Sequence, residues 1–173
     1  LIDAFRVLKT EHPQLLHKLV VVGKPGWKFQ SILKKIDENK DIVLYLGHIK
    51  DNDRWPVYKR ADMFIHPSLY EGFGMWILEA FECGVPVAVS NNSSLPEVGG
   101  NAALYFDPTS KQAMVEVMEK VLNNPELRAD MVAKGKQQLQ NLAGTSARAK
   151  LWPYWKKSEA GTQQQVAPAT GNK

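Results

Sequence analysis

The sequence contains a single cysteine, Cys83, so no disulfide can form within the chain. It also contains no apolar run that approaches the ~18 residues of a transmembrane helix. These two absences argue against a disulfide scaffold and against a membrane span within the sequence, and they favour a reducing, cytoplasmic location. Cys83 lies in an apolar helical stretch, where we interpret it as a small core residue.

Most of the chain has no excess of positive or of negative charge. Residues 1–143 contain 17 basic and 17 acidic side chains, whereas residues 144–173 hold five basic side chains and one acidic one. A body without basic excess is not expected to bind nucleic acid, because that binding depends on neutralising phosphates. The basic segment is expected to be solvated, and a peripheral contact with an anionic membrane surface is the second interpretation.

Short apolar runs alternate with helical patterns along the sequence. The predicted strands span residues 18–23, 41–47, 63–66, 85–90 and 103–106. The predicted helices cover the first residues of the chain and residues 27–37, 53–60, 75–83, 110–122 and 125–142. This alternation is typical of an α/β protein with a Rossmann-like parallel sheet and helices on both faces. The uninterrupted Val, Ile and Leu runs predict strands that are buried on both sides.

The same pattern divides the chain into three segments. Residues 1–143 are predicted to form one Rossmann-like domain whose first strand is absent, because the sequence begins inside a helical pattern. The chain is therefore expected to be part of a longer protein. Residues 144–160 are expected to form a C-terminal helical segment. Residues 161–173 are almost without apolar side chains and are expected to form a disordered tail.

The most informative stretch is residues 61–90, ADMFIHPSLYEGFGMWILEAFECGVPVAVS. Its first predicted strand ends at a short loop, residues 68–74, from which a helix is expected to begin near Phe73 or Met75. Ligands of open α/β sheets bind beyond the carboxyl ends of the strands, and this loop lies there. The loop is therefore the first candidate for a ligand site.

Backbone groups of this loop are expected to bind a phosphate. Gly72 and Gly74 have no Cβ, so the chain can adopt unusual backbone angles and approach a ligand closely. The N–H groups of Phe73, Gly74 and Met75 lie at the predicted helix start, where they lack helical partners and the helix dipole favours an anion.

Two carboxylates flank this predicted anion site. Glu71 lies in the loop, and Glu79 lies about one turn inside the helix. Carboxylate oxygens accept hydrogen bonds from hydroxyl groups, so a bound phosphate would have a sugar beside Glu71 and a ribose beside Glu79. Taken alone, the pair is also compatible with a helix-capping Glu71 and a solvated Glu79. His66, at the end of the preceding strand, is interpreted as a packing residue rather than a base.

The sequence from Glu71 to Glu79, E-G-F-G-x4-E, resembles the E-x7-E motif of retaining glycosyltransferase family 4. The residues before it, AD-x-F-I-H-P-S, are also similar to that family. So are those after it, E-A-x-x-C-G-V-P-V and S-S-L-P-E-V-G-G-N-A-A-L-Y-F-D-P. The resemblance covers about residues 1–142. It implies a two-domain GT-B enzyme, of which this chain would be the C-terminal, donor-binding half.

The resemblance assigns roles to the matching positions around the motif. Glu71 would be the catalytic residue, holding hydroxyls of the donor sugar beside the reacting carbon. Glu79 would bind the ribose. The donor phosphates would be bound at the helix start, by Gly72, Phe73, Gly74 and Met75.

Two further loops would contribute to the donor site. Gly23 and Lys24, after the first predicted strand, would border the phosphates. His48 and Ile49, after the second, would meet the nucleotide base. The alternative interpretations are a solvated Lys24 and an exposed loop histidine at position 48.

The implied function is transfer of a sugar from a nucleoside diphosphate sugar to an acceptor hydroxyl with retention, in polysaccharide or glycolipid synthesis. A saccharide or lipid-linked acceptor would bind through a missing N-terminal domain, so this chain alone is expected to be inactive. A cytoplasmic location, at the inner face of the membrane, would suit that role.

Two alternatives remain open, a non-catalytic nucleotide-sugar-binding module and a GT-B nucleotide-sugar epimerase. A dinucleotide oxidoreductase is a weak hypothesis, because no G-x-G-x-x-G follows a predicted strand. The four histidines are scattered and no D-x-D pair flanks the site, so neither a metal nor a cofactor is expected.

Overall fold

The structure, a computed structural model, describes residues 1–26 and 29–143 of the chain. The predicted helical segment at residues 144–160 and the predicted tail at residues 161–173 lie outside the described residues. Helices and strands alternate through the described part, as the sequence predicts. None of the described helices is long and apolar enough to cross a membrane.

The bounds of the elements agree with the predicted segments to within a few residues, except that the short helix α5 was not among the predicted helices. The helices are α1 (Ile2–Glu11), α2 (Gln30–Asp37), α3 (Asp51–Lys59), α4 (Met75–Glu82), α5 (Leu95–Gly99), α6 (Lys111–Leu122) and α7 (Pro125–Ala143). The strands are β1 (Leu19–Val22), β2 (Val43–Gly47), β3 (Phe64–His66), β4 (Val87–Ser90) and β5 (Ala103–Phe106). The observed strands are mostly shorter than the predicted ones, and β2, β3 and β4 are shortened at their start, where the predicted runs begin one or two residues before the first residue that pairs with a neighbouring strand.

Side-chain caps explain where the last two helices begin. The Ser110 hydroxyl accepts a hydrogen bond from the Ala113 N–H at 3.1 Å, at the start of α6. The Asn124 side chain accepts one from the Leu127 N–H at 2.9 Å, at the start of α7. Each cap satisfies an N–H group that has no partner within the first turn of the helix.

All strand pairs are parallel, which confirms the predicted α/β class. The strands divide between two sheets, however, rather than forming one continuous sheet. β1 pairs with β2, and β4 lies between β3 and β5 in a three-stranded sheet. The carboxyl ends of β3 and β4 meet at one edge, where His66 is in register with Val89.

Two hydrophobic cores lie on opposite sides of the strands. The first contains apolar side chains of α1, α2 and α6 together with Leu19, Val43 and Ala88. The second contains side chains of α3, α4 and α5 together with Val87 and Val89. Successive residues of a strand point to opposite faces, so β4 contributes to both cores. The first core includes side chains from β1, β2, β4 and β5, and therefore connects the two sheets.

The prediction of two-sided burial is confirmed for β4 and is wrong for β1 and β2. Every residue of β4 is buried. In β1 and β2 the burial alternates, and the side chains of Val20, Val22, Leu44 and Leu46 are 38–46% exposed. Among the described residues, helices α1, α2 and α6 cover one face of this pair and leave the other face open.

Candidate functional site

The Glu71–Glu79 segment lies where β3 ends and α4 begins, at the carboxyl edge of the three-stranded sheet. The loop after β4 lies directly beside it. Within that loop, the Asn92 side chain donates a hydrogen bond to the Leu69 carbonyl at 3.1 Å. The Ser90 hydroxyl donates one to the His66 carbonyl at 3.4 Å. Two strand ends therefore position the loop that carries Glu71, as expected for a site in an open α/β sheet.

The backbone of Glu71 is held by two serines of the neighbouring loop. The Ser93 hydroxyl donates a hydrogen bond to the Glu71 carbonyl at 2.6 Å, and the Ser94 hydroxyl donates another at 3.1 Å. The Glu71 N–H donates to the Ser93 hydroxyl at 3.2 Å. Ser93 adopts a left-handed backbone conformation, with φ of 57°, which is uncommon for a residue with a side chain. These bonds compensate for that conformation and fix where Glu71 lies.

The Glu71 carboxylate contacts a histidine from the end of β3. His66 Nε2 lies 2.8 Å from Glu71 Oε1, and the His66 ring stacks on Phe64 with the ring centroids 6.0 Å apart. The hydrogen bond with His66 lowers the pKa of the Glu71 carboxyl, so Glu71 is a charged acceptor at neutral pH. His66 is a packing residue, as interpreted from the sequence, but it also orients the predicted catalytic carboxylate. Its place at the carboxyl end of a strand was the signal for that second role.

The backbone conformation and the close packing at the start of α4 require a glycine at position 74. Gly74 has a φ of 88°, and a Cβ at this position would lie 2.9 Å from Leu95 Cδ2. Only glycine fits both the left-handed conformation and this close contact. Gly72 differs, because its φ is not left-handed and no atom lies within 4 Å of where its Cβ would be. The expected unusual backbone is therefore confirmed at Gly74 and not at Gly72.

The backbone donors at the helix start are free to bind an anion. Within the described part of the chain, the N–H groups of Phe73, Gly74 and Met75 have no hydrogen-bond partner. In the first backbone hydrogen bond of α4, the Ile77 N–H donates to the Gly74 carbonyl at 3.0 Å. Unpaired N–H groups at the positive end of a helix dipole are suited to a phosphate.

Glu79 is buried, so the alternative interpretation of a solvated Glu79 is wrong. Its Oε1 lies 3.3 Å from an Arg54 guanidinium nitrogen, whereas its Oε2 is buried and has no hydrogen-bond partner among the residues described. Burial raises the pKa of the Glu79 carboxyl, and the Arg54 charge and the Tyr58 hydroxyl oppose that change. One oxygen of this buried carboxylate thus keeps an unused capacity to accept a hydrogen bond.

Arg54 is a residue of the site that the sequence did not reveal. It lies on α3, 5.5 Å above the Trp76 ring, and also 3.6 Å from Asp51. Its Nε is buried and unpaired in the described structure. Arg54 is distant from Glu79 in the sequence, so only the packing of α3 against α4 joins the two. The one available signal was that α3 directly follows the loop predicted to meet the base.

The predicted donor residues after β1 and β2 lie beside each other. The Gly23 N–H donates to the Gly47 carbonyl at 2.9 Å, and the Tyr45 hydroxyl donates to the Gly23 carbonyl at 2.9 Å. Lys24 and His48 are exposed, and Ile49 is half-buried. No hydrogen bond or ion pair in the described structure joins these loop residues to Glu71 or Glu79. The link between the two groups is α3, which begins after Ile49 and brings Arg54 to Glu79.

Known proteins resemble this chain over most of its length. The family described as "Glycosyl transferases group 1" matches residues 1–138. O-antigen chain mannosyltransferase B of Escherichia coli is 34% identical over 145 residues, which cover 83% of this chain and 38% of that protein. The chain therefore spans well under half the length of this relative.

Two solved structures are similar in fold. Sucrose-phosphate synthase from Thermosynechococcus elongatus has a TM-score of 0.70 and 22% identity, and the similarity covers 94% of this chain and 43% of that one. The C-terminal domain of a glycosyl transferase group 1 family protein, LpcC, from Francisella tularensis has a TM-score of 0.68 and 21% identity, covering 81% of this chain and 75% of that one. These likenesses show a shared fold, and the family match extends from the first helix into α7. The chain belongs to the glycosyl transferases group 1 family.

Proposed function

We propose that this chain is the donor-binding half of a retaining glycosyltransferase. The complete enzyme would move a sugar from a nucleoside diphosphate sugar to an acceptor hydroxyl in polysaccharide or glycolipid synthesis. One observation carries the proposal: the unpaired N–H groups at the start of α4 are flanked in the sequence by a charged loop carboxylate, Glu71, and by a buried carboxylate with an unpaired oxygen, Glu79. Such a site has donors for a phosphate at its centre and acceptors for hydroxyl groups at its two ends.

The helix start would bind the diphosphate. The N–H groups of Phe73, Gly74 and Met75 would donate to phosphate oxygens, and the open space at Gly72 leaves room for a ligand. In the reaction the diphosphate leaves with added negative charge. Fixed N–H donors and the dipole of α4 would stabilise that charge without having to reorient.

The two carboxylates would bind the sugars at either end of the donor. Glu71 would accept hydrogen bonds from the transferred sugar beside the reacting carbon, and His66 keeps it charged and oriented for that role. Glu79 would accept a hydrogen bond from the ribose through Oε2.

The loops after β1 and β2 would complete the nucleotide site. We propose that Gly23 and Lys24 border the phosphates and that His48 and Ile49 meet the base. Their place at carboxyl ends of parallel strands supports these assignments. We further propose that the transfer needs no metal ion held by the protein.

The donor sugar, the acceptor and the location are also part of the proposal. The mannosyltransferase relative in Escherichia coli supports a mannose donor as the first to test. The acceptor, a saccharide or lipid-linked group, would bind between this chain and an N-terminal domain of the longer protein. A cytoplasmic enzyme at the inner face of the membrane is consistent with a lipid-linked acceptor.

Calorimetric titration of the 173-residue chain with GDP, UDP, GDP-mannose and UDP-glucose tests the proposal. We expect binding of at least one nucleotide and its sugar, without transfer to an added acceptor. Glu79→Gln keeps the shape of the side chain and removes its charge, and it should weaken binding about tenfold, because a hydrogen bond to a charged group is lost. The melting temperature of the variant shows whether it is folded. Failure of the wild-type chain to bind any of the four ligands would contradict the donor site.

A further inference from the structure

Arg54 and Glu79 form a contact in which each side chain keeps one buried polar atom unpaired. The two atoms are Arg54 Nε, which can only donate a hydrogen bond, and Glu79 Oε2, which can only accept one when ionised. Buried polar groups in folded proteins are nearly always hydrogen-bonded, so an unpaired donor beside an unpaired acceptor is unusual. The Tyr58 hydroxyl also acts on the Glu79 carboxyl, but neither of these two atoms has a hydrogen-bond partner among the described residues, which points to a place for a ligand.

The missing partner can be described by its chemistry. A hydroxyl group donates one hydrogen bond and accepts others, so it can complement both unpaired atoms. A vicinal pair of hydroxyls does so with one group directed at each atom. Phosphate fits less well, because it would place a second negative charge against the Glu79 carboxylate.

The position of Arg54 is fixed by contacts on three sides. Its guanidinium lies over the Trp76 ring at 5.5 Å and pairs with Glu79 Oε1 at 3.3 Å and with Asp51 at 3.6 Å. The cation–π contact with the Trp76 ring helps to hold the guanidinium in place. The Arg54 side chain is 24% exposed and the Glu79 side chain 10% exposed, so most of the exposed surface of the pair belongs to Arg54.

We propose that Arg54 is a ligand-binding residue that recognises the ribose diol together with Glu79. The Glu79 Oε2 accepts a hydrogen bond from one ribose hydroxyl, and the Arg54 Nε–H donates to the oxygen of its neighbour. The Trp76 ring and Glu79 Oε1 hold the guanidinium in place for this contact. The assignment rests on the proposed function, which gives Glu79 to the ribose, and it adds Arg54 as a determinant of specificity for ribonucleotides.

The experiment compares ribonucleotides with analogues that lack the diol. Calorimetric titrations of the 173-residue chain use GDP and UDP and their 2′,3′-dideoxy forms, at about pH 8, well above the ordinary pKa of a carboxyl. The measured quantity is the ratio of the two dissociation constants for each base. For the wild-type chain we expect the ribonucleotide to bind at least about tenfold more tightly than its dideoxy form.

Two variants of Arg54 separate recognition of the diol from mere pairing with Glu79. Arg54→Met removes the charge and the donors, and Arg54→Lys keeps the charge beside Glu79 but has no Nε–H fork. Both should lower the ratio at least about threefold, mainly by weakening the ribonucleotide, while the Glu79 contact keeps part of it. Arg60→Met is the matched control, since Arg60 is an exposed arginine at the end of the same helix, and it should leave the ratio unchanged. Circular dichroism and melting temperature show which variants are folded.

Each remaining outcome overturns the proposal in a recognisable way. If Arg54→Lys retains the full ratio, the positive charge alone matters and the Nε–H contact is absent. If both Arg54 variants weaken ribo and dideoxy forms equally, Arg54 is only a structural partner of Glu79, while the donor site stands. If the wild-type chain binds both forms equally, the diol is not recognised here. If it binds neither nucleotide, the proposed function fails as well.

Discussion

The β1–β2 pair and the β3–β4–β5 sheet are built from similar apolar runs but are packed differently. All four residues of β4 are buried between two cores, whereas Val20, Val22, Leu44 and Leu46 leave one face of β1–β2 open in the described structure. An apolar run thus specifies a strand, because its side chains favour a pleated and at least half-buried surface. Whether the second face is also covered depends on which helices pack there.

The same contrast separates the predicted site residues. Glu71, Gly74 and Glu79, which follow the three-stranded sheet, are each held by named contacts. Lys24 and His48, which follow β1 and β2, are exposed. Fixed geometry at a binding site requires residues whose positions are set by packing and supporting hydrogen bonds. We call the β3–β4–β5 sheet with its helices and following loops the packed half, and the β1–β2 pair with its following loops the open half. We expect the packed half to contribute most of the binding energy and most of the stability.

The largest expected effect is on the free energy of unfolding. Truncating a large side chain in the packed half should lower it much more than truncating one in the open half. Phe81 on α4 is 2% exposed and lies against Gly135 of α7, so Phe81→Ala should lower the free energy of unfolding by about 3–5 kcal/mol. Leu44 is 46% exposed, and Leu44→Ala should lower it by less than about 1 kcal/mol. Urea unfolding followed by circular dichroism measures both. Equal losses would remove the contrast between the halves.

The second prediction compares the two glycines of the site loop. Gly74→Ala places a methyl group 2.9 Å from Leu95 Cδ2 in a left-handed conformation and should cost about 1–3 kcal/mol. Gly72→Ala, where the space is open, should change stability by less than about 0.5 kcal/mol. The same urea titrations test the pair. A tolerated alanine at position 74 would show that the helix start is less tightly fixed than described.

The third prediction concerns pH and the two glutamates. Hydrogen bonding by His66 lowers the pKa of Glu71, so its contribution to stability is present above the unfolded pKa and is lost as the pH falls through the folded value. Burial raises the pKa of Glu79, so its contribution is present below the unfolded pKa and is lost as the pH rises through the folded value. The stability difference between wild type and variant should therefore change with pH in opposite directions for Glu71→Gln and Glu79→Gln.

Urea unfolding at a series of pH values from acidic to neutral measures these differences. Relative to Glu71→Gln, the wild-type chain should gain stability as the pH rises. Relative to Glu79→Gln, it should lose stability over the same rise. Slopes of the same sign for both variants would contradict the assigned environments, one a charged loop acceptor and the other a buried carboxyl.

The smallest expected effect is on nucleotide binding by the open half. Lys24 is exposed, so its charge is screened by water and salt, and Lys24→Ala should weaken binding of a nucleoside diphosphate by no more than about threefold. Glu79→Gln, for comparison, should weaken it about tenfold. Calorimetry at two salt concentrations measures both. A larger loss at Lys24 than at Glu79 would reverse the ranking of the two halves.

Much of the fold and the centre of the site could be predicted from the sequence. The parallel α/β class, the strand positions and a helix starting at Met75 follow from local pattern and from glycine at position 74. These features depend on residues that are close in the sequence.

The features that were missed depend on contacts between distant elements. The open face of β1–β2 depends on which helices cover it, and the pairing of Arg54 with Glu79 depends on how α3 packs on α4. The hydrogen bond between His66 and Glu71 depends on the conformation of the loop between them. Hydrogen bonds from the serines after β4 to the Glu71 backbone stabilise that conformation. No periodicity or motif within a single segment encodes such contacts.

The most direct test of the central claim is an amide-resolved NMR titration of the 173-residue chain with GDP and with UDP. We predict that binding of a nucleoside diphosphate shifts the backbone amide signals of Phe73, Gly74 and Met75 more than any others, because their N–H groups donate to the phosphates. Largest shifts in another part of the chain, or no shifts with either nucleotide, would contradict a donor site at the Glu71–Glu79 segment.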